Sequence, residues 1–200
     1  MENKDNIYQS YVVYESDKKS GLIELRDEQK EAVKAAKDYF EKSPDHKKFL
    51  WNAKMRFGKT FCAMELAIEM GDSEIDPKGK KDSKPINRVL IVTHRPVVKD
   101  GFDKDLKKLQ DSLRKKGQLH REWGFGTRSD EDNTGDYYDL EEKLKQENAP
   151  YVFFSSTHWL VLSKEVGGTI DDPLRKSILN TEWDLIVIDE AHEGILENLL

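Results

Sequence analysis

Four short apolar runs recur along the chain and are separated by longer segments of mixed polarity. The runs cover residues 48–53, 88–93, 151–156 and 184–189. Their apolar residues are continuous rather than alternating, which is typical of strands that are buried on both faces of a parallel sheet. The pattern therefore predicts an α/β fold in which helices cover a parallel sheet.

The segments between the runs carry helical periodicity. The clearest apolar stripe lies within residues 26–42, and further helices are predicted from residue 58 to about residue 70 and over residues 98–116. Residues 72–87 and 128–136 are polar and are predicted to be exposed loops. Because the chain has 200 residues and no visible repeat, we interpret it as one α/β domain.

Composition narrows the class of protein. Charged residues make up 36% of the chain, and the formal net charge of −6 means that nucleic-acid binding would need local basic patches. Cys62 is the only cysteine, so neither an intramolecular disulfide nor a zinc site built from cysteine pairs can form. No apolar run approaches the roughly 20 residues of a membrane span. These features predict a soluble, cytoplasmic protein with no membrane partner.

A candidate phosphate-binding loop, Ala-Lys-Met-Arg-Phe-Gly-Lys-Thr, follows the first apolar run, with Ala53 where glycine is usual. Such a loop directs backbone N–H groups at phosphates, and the following helix adds its positive N-terminal end. Gly58 allows close approach, Lys59 supplies a charge, and the hydroxyl of Thr60 is suited to magnesium (Mg2+). The loop residues predicted to bind nucleotide are Ala53, Lys54, Met55, Arg56, Phe57, Gly58, Lys59 and Thr60.

An acidic pair follows the last apolar run, in the sequence Asp-Glu-Ala-His. Ligands of open α/β sheets bind at the carboxyl ends of the strands. We therefore expect Asp189 to hold Mg2+ and Glu190 to orient and activate the attacking water. Glu190 and Lys59 are the predicted catalytic residues, and His192 is expected to couple the site to neighbouring elements. Together with the loop, these residues predict a site for ATP and Mg2+.

Simpler explanations of both motifs remain open. The loop could be a glycine-containing turn in which Lys59 is merely solvated. The acidic pair could be the start of a helix, since carboxylates favour the first helical turn. The strand that precedes each motif and the presence of both motifs in one chain favour the nucleotide site.

Taken together, these residues resemble the first RecA-like lobe of superfamily two helicases, in the branch of restriction-enzyme motor subunits and DEAD/DEAH-box proteins. The resemblance covers about residues 25–200 and leaves residues 1–24 as an N-terminal extension. It implies a three-layer RecA-like P-loop NTPase domain. The segment Leu-Arg-Asp-Glu-Gln that ends at Gln29 is similar to the adenine-recognition motif of the family, which implies that Gln29 binds adenine and that Arg26 assists.

Two strand ends look like the segments that face nucleic acid in this family, residues 89–96 and 154–157. The resemblance implies contacts to sugar–phosphate groups from Thr93, Arg95, Ser156 and Thr157. Thr93 and His94 could instead cap the next helix, and Trp159 is more simply explained by core packing.

The family's Ser-Ala-Thr motif and second RecA-like lobe are not found after His192, so we expect a first lobe that is truncated after the DEAH motif. The expected function is that of the ATP-binding lobe of a DNA-dependent helicase or translocase from a restriction or related defence system. Its expected partners are double-stranded DNA, the second lobe, and restriction or modification subunits. Because the second lobe supplies an arginine to the transition state, the 200-residue chain should hydrolyse ATP slowly at best.

Two other functions are compatible with the same residues. One is a non-catalytic, nucleotide-loaded module that binds DNA or protein. The other is a different phosphate-loop ATPase or kinase.

Overall fold

The computed structural model describes residues 23–42, 45, 47–54, 57–72, 85–93, 99–127, 136–160 and 172–189. The helices among them are α1 (Asp27–Lys42), α2 (Lys59–Gly71), α3 (Lys99–Lys115), α4 (Tyr137–Glu147), α5 (Thr157–Leu160) and α6 (Pro173–Asn180). The strands are β1 (Arg88–Thr93), β2 (Gly124–Thr127), β3 (Tyr151–Ser156) and β4 (Leu185–Asp189). The predicted helices over residues 26–42, 58–70 and 98–116 are confirmed within one residue or two at each end.

The strands form one parallel sheet in the order β2-β3-β1-β4. The strand β1 lies between β3 and β4, and Thr93 at its end is paired with Ser156 on one side and Asp189 on the other. Because all strands run the same way, their carboxyl ends lie along one edge of the sheet. The predicted site residues of three strands are therefore neighbours.

Helices cover both faces of the sheet, and the alternating side chains of β1 show how. Val89 and Ile91 pack in a core cluster with residues of α2 and α3, such as Met64 and Leu106. The intervening residues of β1 pack in a second cluster with residues of α4, α5 and α6, such as Ile178. Both faces of the strand are apolar because each is buried against helices. The predicted three-layer α/β architecture is confirmed.

The prediction of a strand over residues 48–53 is wrong. The segment has no regular secondary structure and packs against α1 rather than in the sheet. Phe49 lies 5.4 Å from the ring of Tyr39, and Trp51 donates a hydrogen bond from Nε1 to the carbonyl of Ala32 at 3.1 Å. Between them, Leu50 remains 79% exposed. Contact with α1 therefore accounts for Phe49 and Trp51 but not for Leu50.

The strand β2 was not predicted, because its sequence is short and contains Gly124 and Gly126. Both glycines lie against Leu140 of α4, whose methyl groups would come within 2.6 and 2.5 Å of a Cβ atom at these positions. The strand can therefore approach α4 closely only with glycine on that face. The same contact holds β2 at the edge of the sheet.

The helix α6 was also not predicted, although its start carries a recognisable signal. The side chain of Asp172 accepts hydrogen bonds from the backbone N–H groups of Leu174 and Arg175 at 3.0 and 3.3 Å. Pro173 occupies the first helical position, where its missing N–H is not needed. An Asp-Pro pair in front of an apolar periodicity would have been sufficient to predict this helix.

Within the part of the chain that the structure describes, no helix is long and apolar enough to cross a membrane.

Candidate nucleotide-binding site

The phosphate loop ends in a tight turn immediately before α2. The backbone N–H of Phe57 donates to the carbonyl of Lys54 at 3.2 Å, and Gly58 follows with φ 88° and ψ 37°. This left-handed conformation is disfavoured for residues that carry a Cβ atom. The carbonyl of Gly58 accepts the first helical hydrogen bond from Cys62 at 3.1 Å. Gly58 thus turns the chain so that α2 begins at Lys59.

The two halves of the predicted site meet in the structure. The Lys59 Nζ atom lies 3.8 Å from Oδ1 of Asp189, and the two side chains are 35% and 25% exposed. Lys59 begins α2, and Asp189 ends β4 at the carboxyl edge of the sheet. A cation and a carboxylate that remain accessible to solvent therefore face each other beside a helix N-terminus. This is the combination of charges that binding of a magnesium–phosphate group requires.

The structure describes some of the remaining predicted site residues and not others. Thr60 follows Lys59 in the first turn of α2 and is partly exposed. Its hydroxyl and the carboxylate of Asp189 are hard oxygen donors, which suit Mg2+. Ala53 is partly exposed and Lys54 is exposed. The other predicted residues lie outside the described ranges, namely Met55, Arg56, Arg95, Glu190 and His192.

Arg26 and Gln29 converge on the phosphate loop. The Arg26 Nη2 atom donates to the carbonyl oxygen of Phe57 at 2.8 Å, and Gln29 Nε2 donates to the same oxygen at 2.6 Å. The Gln29 side chain is 8% exposed, and its Oε1 atom accepts from the backbone N–H of Arg26 at 2.8 Å. The sequence motif placed both residues near the nucleotide, but nothing in its pattern indicated this shared contact with Phe57.

The candidate nucleic-acid contacts that the structure describes, Thr93, Ser156 and Thr157, lie at the same sheet edge but differ in burial. Thr93 is 1% exposed and Thr157 is 7% exposed, and the Thr157 hydroxyl donates to the Thr93 carbonyl at 3.5 Å. The Thr157 hydroxyl thus connects the start of α5 to the end of β1, and neither threonine side chain is available at the surface in this structure. Ser156 is partly exposed. Trp159 packs against the core cluster on one face of the sheet, as core packing predicted.

Cys62 lies on the buried side of α2, close to the loop in sequence. Its side chain is fully buried, and burial raises the pKa of the thiol to about 11. A thiol with so high a pKa stays neutral at physiological pH and is a poor nucleophile. Cys62 therefore contributes packing, in the cluster that joins α1 and α2.

Comparison of the sequence with known protein families identifies a match over most of the chain. The family described as the type III restriction enzyme, res subunit, matches residues 22–198. The chain belongs to this family. It is therefore a helicase-like, ATP-binding domain of a restriction system, in a family that generally uses ATP with Mg2+.

A Mycoplasma pneumoniae (strain ATCC 29342 / M129 / Subtype 1) protein is similar to this res-subunit domain. It carries the name type II restriction enzyme and methyltransferase RM.MpnORF110P C-terminus, and it is 29% identical over 172 residues. The match covers 84% of this chain and 20% of the relative, so the chain spans about a fifth of the relative's length. No solved structure matches the chain significantly.

Proposed function

We propose that this chain is the ATP-binding lobe of a DNA-dependent ATPase, a helicase or translocase of a restriction or related defence system. The observation that carries this proposal is the 3.8 Å distance between Lys59 Nζ and Asp189 Oδ1. Phosphoryl transfer needs a cation that contacts the terminal phosphates and a carboxylate that binds the metal ion. Lys59 and Asp189 provide these two charges next to each other at the carboxyl edge of the sheet. In this proposal residues 25–200 form the lobe and residues 1–24 an extension.

Each residue of the site has a separate proposed role. Lys59 binds the terminal phosphates, while Thr60 and Asp189 hold Mg2+, which supplies charge neutralisation when it is bound. Glu190 orients and activates the attacking water, and His192 couples the site to the elements around it. The remaining nucleotide-binding residues in the proposal are Arg26, Gln29, Ala53, Lys54, Met55, Arg56, Phe57 and Gly58.

The proposed polymer substrate is double-stranded DNA. The name of the Mycoplasma relative includes a type II restriction enzyme, and the substrate of a restriction enzyme is DNA. Ser156 is partly exposed at the carboxyl edge of the sheet and is suited to contact a phosphate without recognising sequence. Arg95, which follows the last residue of β1 by two positions in the sequence, is the proposed charged contact. The proposed partners are a second RecA-like lobe, which would complete the catalytic site, and restriction or modification subunits.

Titration of the chain with a fluorescent ATP analogue and Mg2+ tests the nucleotide site. We expect Lys59→Ala to weaken binding at least about tenfold, because the phosphates lose a charge contact. Lys107→Ala is the matched control, since that lysine lies on α3 and is 69% exposed. Equal affinity of the wild-type chain and Lys59→Ala, or no binding by the wild-type chain, would overturn the proposed function.

A second measurement tests the polymer substrate. In a protein that contains the second lobe, the rate of ATP hydrolysis is measured with double-stranded DNA, with single-stranded DNA and with RNA. Stimulation by double-stranded DNA that falls in Arg95→Ala supports the proposal. A rate that none of the three polymers changes would favour a nucleotide-loaded binding module instead.

A further inference from the structure

The solvent-facing side of α3 carries acidic side chains that are already in ion pairs. Lys107 Nζ lies 2.7 Å from Oδ2 of Asp103. Arg114 Nη1 donates to Oδ1 of Asp111 at 2.5 Å, and Arg114 Nη2 donates to Oε1 of Glu122 at 2.6 Å. Each of these three carboxylates therefore has a basic partner, and Lys107 and Arg114 provide them.

Three further lysines of α3 take no part in these contacts. Lys104, Lys108 and Lys115 are exposed, and none of them forms an ion pair or a side-chain hydrogen bond with a described residue. Asp105 attracts Lys108 without forming an ion pair, and it is partly buried, so that burial raises its pKa against the effect of the Lys108 charge. The ammonium groups of the three lysines are therefore available to an anionic partner.

The three lysines lie along one line on the helix surface. Successive residues of an α-helix are rotated by about 100°, so positions 104, 108 and 115 fall within about 40° of one another around the axis. The residues of α3 that form ion pairs all lie to one side of this line. With a rise of about 1.5 Å per residue, the line is roughly 16 Å long. We call Lys104, Lys108 and Lys115 the α3 lysine track.

Gly101 lies close to the same line, near the start of α3. A Cβ atom at this position would meet no atom of the described residues within 4 Å, so packing among them does not require a glycine. Glycine is also less favourable than alanine within a helix. Its absence of a side chain leaves the helix backbone uncovered at this end of the track, which permits close approach of a ligand.

The track is suited in direction and length to a nucleic-acid strand. Because α3 connects the parallel strands β1 and β2, it starts near the carboxyl edge of the sheet and runs back towards the amino edge. Phosphates of one DNA strand are about 3.4 Å apart along the duplex axis, so a line of roughly 16 Å spans about five of them. The chain has a net charge of −6, so attraction to DNA requires a local basic surface of this kind.

We propose that the α3 lysine track binds the sugar–phosphate backbone of double-stranded DNA without recognising its sequence. The inference rests on the proposed function, because it assigns a surface to the proposed polymer substrate. It adds contacts outside the nucleotide site and outside the strand ends that carry Ser156 and Arg95. Contacts of this kind hold the protein on the duplex and release counterions from it, so they make the affinity depend on salt.

The test measures the affinity of the chain for a fluorescent DNA duplex by anisotropy at a series of salt concentrations. Each lost phosphate contact reduces the slope of log K against log salt concentration by about 0.9. In the triple variant Lys104→Gln, Lys108→Gln, Lys115→Gln we expect the slope to fall by about 2–3, and the dissociation constant at about 0.1 M salt to rise at least tenfold. The affinity for the fluorescent ATP analogue should not change, because the track contains no residue of the nucleotide site.

Two further triple variants are the controls. Arginine at the same three positions keeps the charges and should keep the wild-type slope. Lys143→Gln, Lys145→Gln, Lys176→Gln removes the same number of charges from exposed positions on α4 and α6, which cover the other face of the sheet. This second control should also keep the wild-type slope. An equal fall of the slope in it would show that net charge, and not the track, sets the affinity, and the inference would be wrong.

The remaining outcomes separate the inference from the proposed function. If the wild-type chain binds duplex DNA and the glutamine variant of the track keeps the wild-type slope, the track is only a solvated helix face, and the proposed function stands. The same titration with RNA of the same sequence is the final comparison, and a loss of affinity for RNA alone would overturn the assignment to DNA. Failure of the wild-type chain to bind duplex DNA at any salt concentration would overturn the proposed polymer substrate, and the inference with it.

Discussion

Lys59 and Asp189 face each other with 3.8 Å between Nζ and Oδ1, although one begins α2 and the other ends β4. The contact joins the phosphate loop to the carboxyl edge of the sheet. The charges of the two residues should have opposite effects on the binding of a triphosphate. Lysine attracts the phosphates whether or not a metal ion is present, whereas aspartate attracts the metal ion and repels the phosphates.

This opposition predicts the behaviour of Asp189→Asn, which keeps the shape of the side chain and removes its charge. We expect ATP to bind about tenfold less tightly in Mg2+ and at least as tightly as to the wild-type chain when EDTA removes the metal. Isothermal titration calorimetry in the two buffers measures both affinities. Asp111→Asn, a change on α3 at a side chain that is 64% exposed, should change neither. Asp189 has no role at the metal if its variant loses affinity equally in both buffers.

The sheet was predictable wherever a strand is buried on both faces. Residues 88–93 and 151–156 form β1 and β3 with the predicted bounds, because continuous apolar residues leave few other ways to bury both faces. Residues 48–53 carry a similar run, yet their aromatic side chains pack on α1. Apolar content alone therefore does not show that a segment is a buried strand, since Leu50 in this run is 79% exposed.

The site was predictable to the extent that it depends on sequence motifs. The spacing that leads to Gly58 and Lys59 and the acidic end of β4 identified the two residues that the structure brings together. The bonds from Arg26 and Gln29 to the Phe57 carbonyl were not predictable, because any residue offers the same backbone oxygen. A hydrogen bond to a backbone carbonyl leaves no pattern in the side chain of the residue whose carbonyl accepts it.

Gly58→Ala should damage the site for two reasons that can be separated. The backbone is at φ 88°, which costs an alanine about 1 kcal/mol, and the new Cβ atom would lie 2.3 Å from Gln29 Nε2. We expect this variant to bind nucleotide about threefold to tenfold less tightly, because the far end of the Gln29 side chain must move away from the new Cβ atom and gives up its hydrogen bond to the Phe57 carbonyl. Titration with a fluorescent ATP analogue measures the loss.

Gly117→Ala is the matched control for that variant. Gly117 also has a positive φ, 67°, but a Cβ atom there would meet no atom of the described residues within 4 Å. It should therefore lower the free energy of unfolding by about 1 kcal/mol through backbone strain alone and leave nucleotide affinity unchanged. Similar nucleotide affinities in the two variants would show that the contact with Gln29 is unimportant.

Glu65 should make stability depend on pH near neutrality. It lies on α2, and its Oε2 atom is buried with no hydrogen-bond partner among the described residues. Burial, and then the charge of Glu69, raise the pKa of Glu65 from 4.5 to about 7, against the opposing effect of Lys116 and Lys30. The native state then binds a proton that the unfolded state has released, so the free energy of unfolding falls as the pH rises from about 4.5 to about 7.

Glu65→Gln removes this titration. Between pH 5 and pH 8 the variant should gain roughly 1–3 kcal/mol of stability relative to the wild-type chain, with the difference fully developed above pH 7. Urea unfolding at a series of pH values measures it. Glu31→Gln, at an exposed position on α1, should follow the wild-type curve. A constant difference between Glu65→Gln and the wild-type chain at all pH values would rule out the titration.

Glu141 joins α4 to the amino-terminal ends of β1 and β3, away from the site. Its carboxylate accepts from Arg88 Nε at 2.6 Å and Nη2 at 3.0 Å, and from the Tyr151 hydroxyl at 2.5 Å. The bidentate bond from Arg88 is the largest cause of the lowered pKa of Glu141. The carboxylate is therefore ionised in the native state, and its stabilisation is present above pH 4.5 and is lost as the pH falls through the lowered pKa.

Glu141→Gln should lower the free energy of unfolding at pH 7 by roughly 2–4 kcal/mol, because the partly buried guanidinium of Arg88 loses its counter-charge. The difference should shrink as the pH falls from 4.5 through the lowered pKa of Glu141, because over this range the unfolded chain binds a proton at this carboxyl before the native state does. Urea unfolding monitored by tryptophan fluorescence measures both values. Glu142→Gln, which changes the adjacent and exposed position of α4, should cost less than about 1 kcal/mol.

The interactions of Glu141 with Arg88 and Tyr151 lie away from the nucleotide site, so they should not affect nucleotide affinity. Arg88 and Tyr151 begin their strands, whereas Thr93 and Asp189 end theirs at the edge that carries the nucleotide site. Glu141→Gln should therefore destabilise the fold and leave the affinity of the folded chain for the ATP analogue unchanged. A loss of affinity under conditions in which the variant is fully folded would mean that the two ends of the sheet are coupled, and the separation of stability from binding at these residues would be wrong.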